Sequence, residues 1–298
     1  GAPTIKEVTF RIMPENSQRF IALEAGEIDI AYDIAPNDVK RAEESDELQV
    51  INQESMSAMY LTINMGKGGP LADPNVRKAI SLAINRQDII DAVSYGYGSL
   101  ASSVVPPSCI CYSDNVAPTE YNLEQAKEYM AQSDYPDGFS CTLWTSDDSI
   151  RVEASNIIQA QLAELNIDVK LEILEYGTLL SSLDHGDHDL VYERWTTDSG
   201  DAYYTIYALY NSTCTPYEGN DAFYVNETVD QLIQEGRQIF DVAERTAVFE
   251  QIYEIVAEDL PYVPIYYPYN SVAMSNRVQG FVLNPNGAHQ INNISLAG

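Results

Sequence analysis

Apolar and polar positions along the chain follow two rhythms, one of period two and one near 3.6. Residues 5–12 alternate, with Val8, Phe10 and Ile12 on one side, and predict a strand. Ser17 to Ala25 predicts a short amphipathic helix with Gly26 as its stop. Ile28 to Tyr32 reads as a second strand, and Pro36 to Glu47 as a charged surface helix. Met59, Leu61, Ile63 and Met65 are the alternating face of a third strand. Gly66-Lys-Gly-Gly-Pro70 ends it and is read as a crossover between domains.

Asp73-Pro74 is a helix start, with Asp as the cap and Pro at the first helical position. Val76, Ile80, Ala83 and Ile84 form its apolar stripe, and Asn85 opens a second helix that Gly96 stops. A loop rich in Ser, Pro and Cys runs to about Pro118, and Asn122 with Gln125 fits a capping box for a helix to about Gln132. Phe139 to Thr145 then predicts a strand, Arg151 to Leu165 a helix and Ile167 to Leu174 a strand. That order is a βαβ unit, which requires a parallel pair with a right-handed crossover. Residues 189–195 add another strand, and helices follow over about 228–240 and 243–258. Pro261 and Pro264 bracket the exit into Val263-Pro-Ile-Tyr-Tyr267, and Val278 to Leu296 reads as short strands and irregular structure.

Composition narrows the classes. The 298 residues, 45% of them hydrophobic, suffice for one large or two ordinary domains, and no run approaches a membrane span. Sixteen basic against 45 acidic side chains leave a net charge of −29, which argues against nucleic acid and against docking on anionic lipid by charge. Tyrosine is abundant, 21 against 7 Phe, and suits a wet binding surface. Cys109, Cys111, Cys141 and Cys214 lack zinc spacing. Their even number points to disulfides with three possible connectivities, against four buried free thiols.

The chemistry concentrates where the strand at 189–195 ends. Trp195 is followed by Asp198, a break at Ser199-Gly200, Asp201, and then Tyr203, Tyr204, Tyr207 and Tyr210. Strands that end in aromatic and acidic loops are where α/β proteins build small-molecule sites: rings hold an organic ligand by area, and a carboxylate holds a cationic head. The plainer reading is a core indole beside two solvated acids. Asp184-His-Gly-Asp-His-Asp189 is metal-like, but Gly186 breaks a helix there, so a solvated hairpin is the reading adopted, with no metal and no cofactor. Asn211, Asn226 and Asn293 stand in glycosylation sequons, which mean nothing in a bacterial source. There is no Gly-x-Ser-x-Gly elbow, phosphate loop or dinucleotide fingerprint. Asp198 with Asp201 as a glycoside hydrolase pair is the distant enzymatic alternative.

Five stretches, in order, resemble one family. They are Ala22-Leu-Glu-Ala-Gly-Glu-Ile-Asp29, Pro70 through Arg86, Tyr121-Asn-Leu-Glu-Gln-Ala-Lys127, Asp241 through Phe249 running on to Leu260-Pro261, and Val278 through Gly287. Together they resemble the dipeptide/oligopeptide class, family 5, of extracellular solute-binding proteins that serve ABC importers. The resemblance implies an α/β fold of the type II periplasmic-binding-protein kind, with mixed sheets flanked by helices. It implies two lobes, one of them incomplete: residues 1–66 with 270–298 in the first, and 67–269 as the second, carrying the ligand loop. Members normally begin with a further N-terminal portion, so this chain looks like the C-terminal part.

The same resemblance implies a non-enzymatic receptor for peptides, oligopeptides favoured over dipeptides. It would work in the periplasm or, as a lipoprotein, at the cell surface, and deliver to a membrane permease with its ATPase subunits. Receptors for nickel or another metal chelate, or for oligosaccharides, are the alternatives within the fold. By the match, Trp195 and Asp198 belong to the peptide site, Asp198 taking the α-amino group, with Asp201 beside it. Tyr176 sits where an aromatic packs on the ligand. Arg194 occupies a position usually small. The loop Ser146-Asp-Asp-Ser-Ile150 lacks the arginine that clamps a dipeptide carboxylate, and Arg151 is the nearest candidate.

Overall fold

A computed structural model describes residues 5–216 and 218–297; residues 1–4 and 298, the outer ends of the expected first lobe, lie outside it. The chain divides into two units: Gly1–Ser55, Ser94–Gly98 and Pro268–Gly298, and Met56–Val93 with Ser99–Tyr267. The first division falls at Ser55, ahead of the Gly66–Pro70 turn, and both ends of that turn lie in the second unit.

The first unit opens with α1 (Asn16–Glu24), β1 (Ile30–Tyr32), α2 (Pro36–Glu43) and β2 (Leu48–Glu54). The expected helix to Glu47 stops four residues early because β2 follows at once. The second unit contains β3 (Ser57–Ile63), α3 (Pro74–Ala83) and α4 (Arg86–Ser94, whose last residue falls to the first unit). Then come β4 (Gly98–Leu100), α5 (Leu123–Gln132), β5 (Phe139–Ser146), α6 (Ser149–Ala163) and β6 (Ile167–Leu174). After these lie α7 (Tyr176–Leu183), β7 (Leu190–Thr196), α8 (Ala202–Tyr210), α9 (Glu227–Gly236) and α10 (Val242–Asp259). The long β8 (Tyr262–Ser275) gives its first part to the second unit and its remainder to the first, where β9 (Val278–Gln279) and β10 (Ser295–Leu296) follow.

In the first unit β1 and β2 flank residues 269–275 of β8, both antiparallel to it. Two small cores form on this sheet, one around Phe20, Leu23, Val39 and Ala273, the other around Val272, Met274, Leu283 and Ile294. Residues 5–12, expected as a strand, take no regular structure. Alternation becomes a strand only when an edge pairs with it, and this segment instead lines a groove of about 720 Å³ within its own unit. Phe10 stacks on His289 there at 5.3 Å, while Ile12 stays exposed.

The second unit is a three-layer sandwich. Its sheet runs β8–β3–β7–β5–β6, with β3 antiparallel to β7 and β8, and β5 parallel to both β7 and β6. β3 is buried along its whole length. Met59, Leu61 and Ile63 point into a core shared with α3 to α6, and Ala58 and Tyr60 into one shared with α8 to α10. A strand covered on both faces is the expected state in α/β layering. Pro264 sits inside β8 where the pairing with β3 shifts register between Met59 and Tyr60. A bulge is where a strand tolerates the missing N–H.

The predicted βαβ unit is present, β5 pairing with β6 in parallel from Phe139↔Ile167 to Ser146↔Leu174. Its entry depends on Gly138 at φ +87°, where a Cβ would fall 2.0 Å from the Asn166 carbonyl oxygen. Two predicted caps form, Asp73 accepting from the Asn75 N–H and Asn122 from Gln125, and Asp241 adds a cap that was not predicted by accepting from Glu244.

Candidate ligand-binding site

Because β5, β6 and β7 are mutually parallel in the second unit, their C-terminal ends emerge at one edge of its sheet. The chain leaves β5 for β6 on one side and returns to β7 on the other, so the strand order reverses between β5 and β7. That crevice is where open α/β sheets bind ligands. The helix that follows β5, α6, carries Arg151 in its first turn, α7 after β6 opens on Tyr176, and the loop after β7 carries Asp198 and Asp201, with Trp195 at the strand's end.

Three of the six expected residues, Arg151, Tyr176 and Trp195, fall in two clusters of contacts. In one, the Arg151 guanidinium lies 5.5 Å from the centre of the half-exposed Tyr176 ring, and Arg151 Nη1 donates to Ser146 Oγ at 3.3 Å. Asp148 starts α6 by accepting from the Arg151 N–H, and Glu175 starts α7 by accepting from Thr178. Arg151 therefore sits in the first turn of α6 with its charge against an aromatic face.

The other cluster surrounds the indole. Trp195 Nε1 donates to Thr205 Oγ1 at 3.0 Å, and that hydroxyl meets Thr197 Oγ1 at 2.7 Å. The Tyr204 ring lies 5.6 Å away between centroids. Gly219 closes the far side at φ +114°, where an added Cβ would come within 3.3 Å of the indole. Against the plainer reading of a core indole, Trp195 is only partly buried, and its N–H is spent on structure.

The two loop acids differ. Asp201 caps α8, its Oδ1 accepting from the Tyr203 N–H at 2.9 Å, and its Oδ2 pairs with Arg245 Nη2 at 2.6 Å. Burial works against the Arg245 charge, but Cys111 and Asp201 outweigh it and hold the guanidinium above its usual value. Asp198 is exposed at the turn. Arg194 is exposed on β7 opposite Met59.

Beneath the loop lies a feature that sequence reasoning missed. Glu193 is buried on β7 opposite Tyr60, and Thr62 Oγ1 donates to its Oε1 at 3.2 Å. Burial pushes this carboxyl up to about 7, against the Thr62 hydroxyl and Arg151. Asp221 is pushed up to about 9, by burial first and then by Glu193 and Asp184. The available signal was alternation: Glu193 shares its face of β7 with Val191 and Trp195.

The metal-like stretch does not converge. His188 is fully buried, its Nε2 2.8 Å from the Asp221 carbonyl oxygen, while His185 is exposed. This corrects the solvated hairpin: only part of the segment faces water. Among the described residues no group of three or more His, Cys, Asp or Glu is placed to hold a metal ion.

The disulfide expectation is also corrected, since all four cysteines are free and buried. Cys141 packs in the β5 core, Cys111 Sγ accepts from Arg245 Nε at 3.1 Å, and Cys214 Sγ lies 3.6 Å from Glu218 Oε2. Each of these sulfurs is committed to its own surroundings.

A mixed sheet flanked by helices, with loops gathered at the C-terminal ends of its parallel strands, is the architecture of type II periplasmic binding proteins. The model of the bacterial extracellular solute-binding proteins, family 5 middle region, matches residues 1–217, and the chain belongs to that family. It is 27% identical to the glutathione-binding protein GsiB of Salmonella choleraesuis, over 99% of this chain and 59% of that protein. It superposes with a TM-score of 0.87 and 30% identity on the periplasmic binding protein DppA from Helicobacter pylori in complex with the peptide STSA, covering 96% of this chain and 56% of that one. The oligopeptide-binding protein AppA from Bacillus subtilis, in complex with a nonapeptide, gives a TM-score of 0.83 at 27% identity, over 96% and 60%. The chain therefore spans less than two thirds of the length of these relatives. The family resemblance is borne out.

Proposed function

We propose that this chain is the solute-binding component of an ABC importer, capturing peptides outside the cytoplasm and delivering them to a membrane permease with its ATPase subunits. The observation that carries the reading is the edge after β5, β6 and β7, where an exposed carboxylate, Asp198, shares a loop with aromatic residues. A carboxylate that meets an ammonium at a desolvating surface forms a charge-assisted bond, so Asp198 takes the peptide amino terminus. Tyr176 and Trp195 supply ring area, with Asp201, Arg194 and Arg151 around them. Arg151 is already engaged with Ser146 and Tyr176, and residues 146–150 hold no basic side chain. A ligand carboxylate is thus not clamped close by, which favours oligopeptides over dipeptides. The relatives named for glutathione, STSA and a nonapeptide support a peptide ligand.

The role is non-enzymatic, in keeping with relatives that are binding proteins. We place the protein in the periplasm or, as a lipoprotein, on the cell surface; no helix among the described residues is long and apolar enough to cross a membrane. We also assign residues 1–66 with 270–298 to a first lobe and 67–269 to a second.

Thermal shift against peptides, nickel chelates and oligosaccharides tests the ligand class, because only a ligand of the folded state raises the midpoint. Peptides with a free amino terminus should stabilise the chain and N-acetylated ones should not. Asp198→Asn should cost about 2–5 kcal/mol of peptide binding. Stabilisation by nickel or a sugar but by no peptide would overturn the reading.

A further inference from the structure

The loop that presents Asp198 is gripped from behind by residues distant in sequence. The Ile110 N–H donates to the Gly200 carbonyl at 2.9 Å, and the Ala202 N–H donates to the Ile110 carbonyl at 2.9 Å, so Ile110 pairs in parallel with Asp201. Both neighbours of Ile110 reinforce the pairing. The Cys109 thiol shares a hydrogen bond with Thr197, and Cys111 Sγ receives Arg245 Nε at 3.1 Å. Arg245 Nη2 closes the circuit on Asp201 Oδ2 at 2.6 Å. Cys111 takes φ +64°, unusual for a residue with a side chain, and its carbonyl accepts from Tyr253 Oη at 3.0 Å. Non-glycine residues stay in that region only where their surroundings hold them there.

These bonds engage Asp201 on both oxygens, one on the α8 amide and one on Arg245, and leave Asp198 as the acid at the exposed turn. We propose that Arg245 is a positioning residue for the solute site: acting through Asp201 and braced by Cys111, it fixes the loop that offers Asp198 to a cationic ligand head. The inference rests on the solute-binding reading above. The planar guanidinium reaches sulfur and carboxylate at once from adjacent nitrogens, which a lysine ammonium cannot do.

The test compares Arg245→Met, Arg245→Lys and Asp201→Asn with wild type in the full chain, by two readouts. In amide hydrogen exchange, Arg245→Met should open residues 197–202 roughly tenfold faster, with Lys intermediate and β5 and β6 unchanged as internal reference. If Arg245→Met does not fold, Asp201→Asn carries this arm, because Asn still caps α8 while losing the charge. In titrations followed by NMR, wild type should prefer Ala-Ala-Ala over its N-acetylated form, and Arg245→Met should erode that preference several-fold. Unchanged loop exchange overturns the proposal. So does faster exchange throughout β5 and β6, or equal weakening of both peptides, since each marks general damage to the fold. A wild type that takes neither peptide overturns the solute reading, while loop exchange still decides whether Arg245 holds the loop.

Discussion

Glu193 and Asp201 stand at opposite ends of one short stretch, and their carboxyls are held in opposite ways. Glu193 is buried in the sheet, and its donor is the Thr62 hydroxyl rather than a guanidinium. Asp201 is partly exposed and is met by Arg245 and by the amide that starts α8. Desolvation dominates in the first case and favours the neutral acid; in the second the carboxylate is tied to a guanidinium and a helix-start amide. In a chain of net charge −29 the acids are therefore not equivalent. Those of the Glu193–Asp221 pair store protons, and that of Asp201 is a structural tie between α8 and Arg245.

The largest effect expected from this contrast is on stability against pH. A carboxyl whose folded value lies above its unfolded one keeps its proton longer in the folded chain. Its stabilisation is full below about 4.5 and lost as pH rises toward about 7 for Glu193, and full below about 3.8 and lost toward about 9 for Asp221. Glu193→Gln should flatten that decline in denaturant melts across the window; a variant that declines as steeply as wild type would remove the proton-store account. His188, held low by burial, runs the other way, its contribution being lost as pH falls through the histidine range. The difference between variant and wild type isolates the carboxyl. Next in size is the Arg245–Asp201 pair, where a double-mutant cycle with Arg245→Met and Asp201→Asn should give about 1–2 kcal/mol of coupling in stability. Near-zero coupling would make the pair a solvated surface contact. Smallest is Asp198→Asn, which should move folding stability by less than about 0.5 kcal/mol while weakening peptide binding. A large loss of stability there would mean that Asp198 is structural like Asp201.

How much of this could be read from residues alone varied with what surrounds each element. The βαβ unit and the capped helices were legible because local rules decide them. α8 was not, because Ala-Tyr-Tyr-Thr-Ile-Tyr-Ala-Leu-Tyr is apolar on nearly every side and shows no stripe. β2 was hidden because its residues are all half-buried and adjoin a charged helix. β8 runs on past Tyr267, where the expected run stopped, to Ser275, and a register shift absorbs Pro264. Residues 5–12 erred in the opposite direction, with alternation and no paired edge. At the site, Trp195 through Asp201 stood out by residue type. Arg245 and Cys111 did not, since their contacts with the loop and with each other join segments distant along the chain.

The four unpaired thiols make the protein its own unfolding reporter. Maleimides and disulfide reagents attack the thiolate, and burial pushes the Cys141 thiol up to about 12 and the Cys214 thiol up to about 11. In the native state each sulfur should react only as fast as its surroundings open. Cys141 clocks the β5 core, Cys109 and Cys111 clock the segment behind the ligand loop, and Cys214 clocks the turn after α8. Peptide mapping after timed labelling would resolve these openings without introducing a probe. A ligand that tightens the loop should slow Cys109 and Cys111 while leaving Cys141 at its own pace.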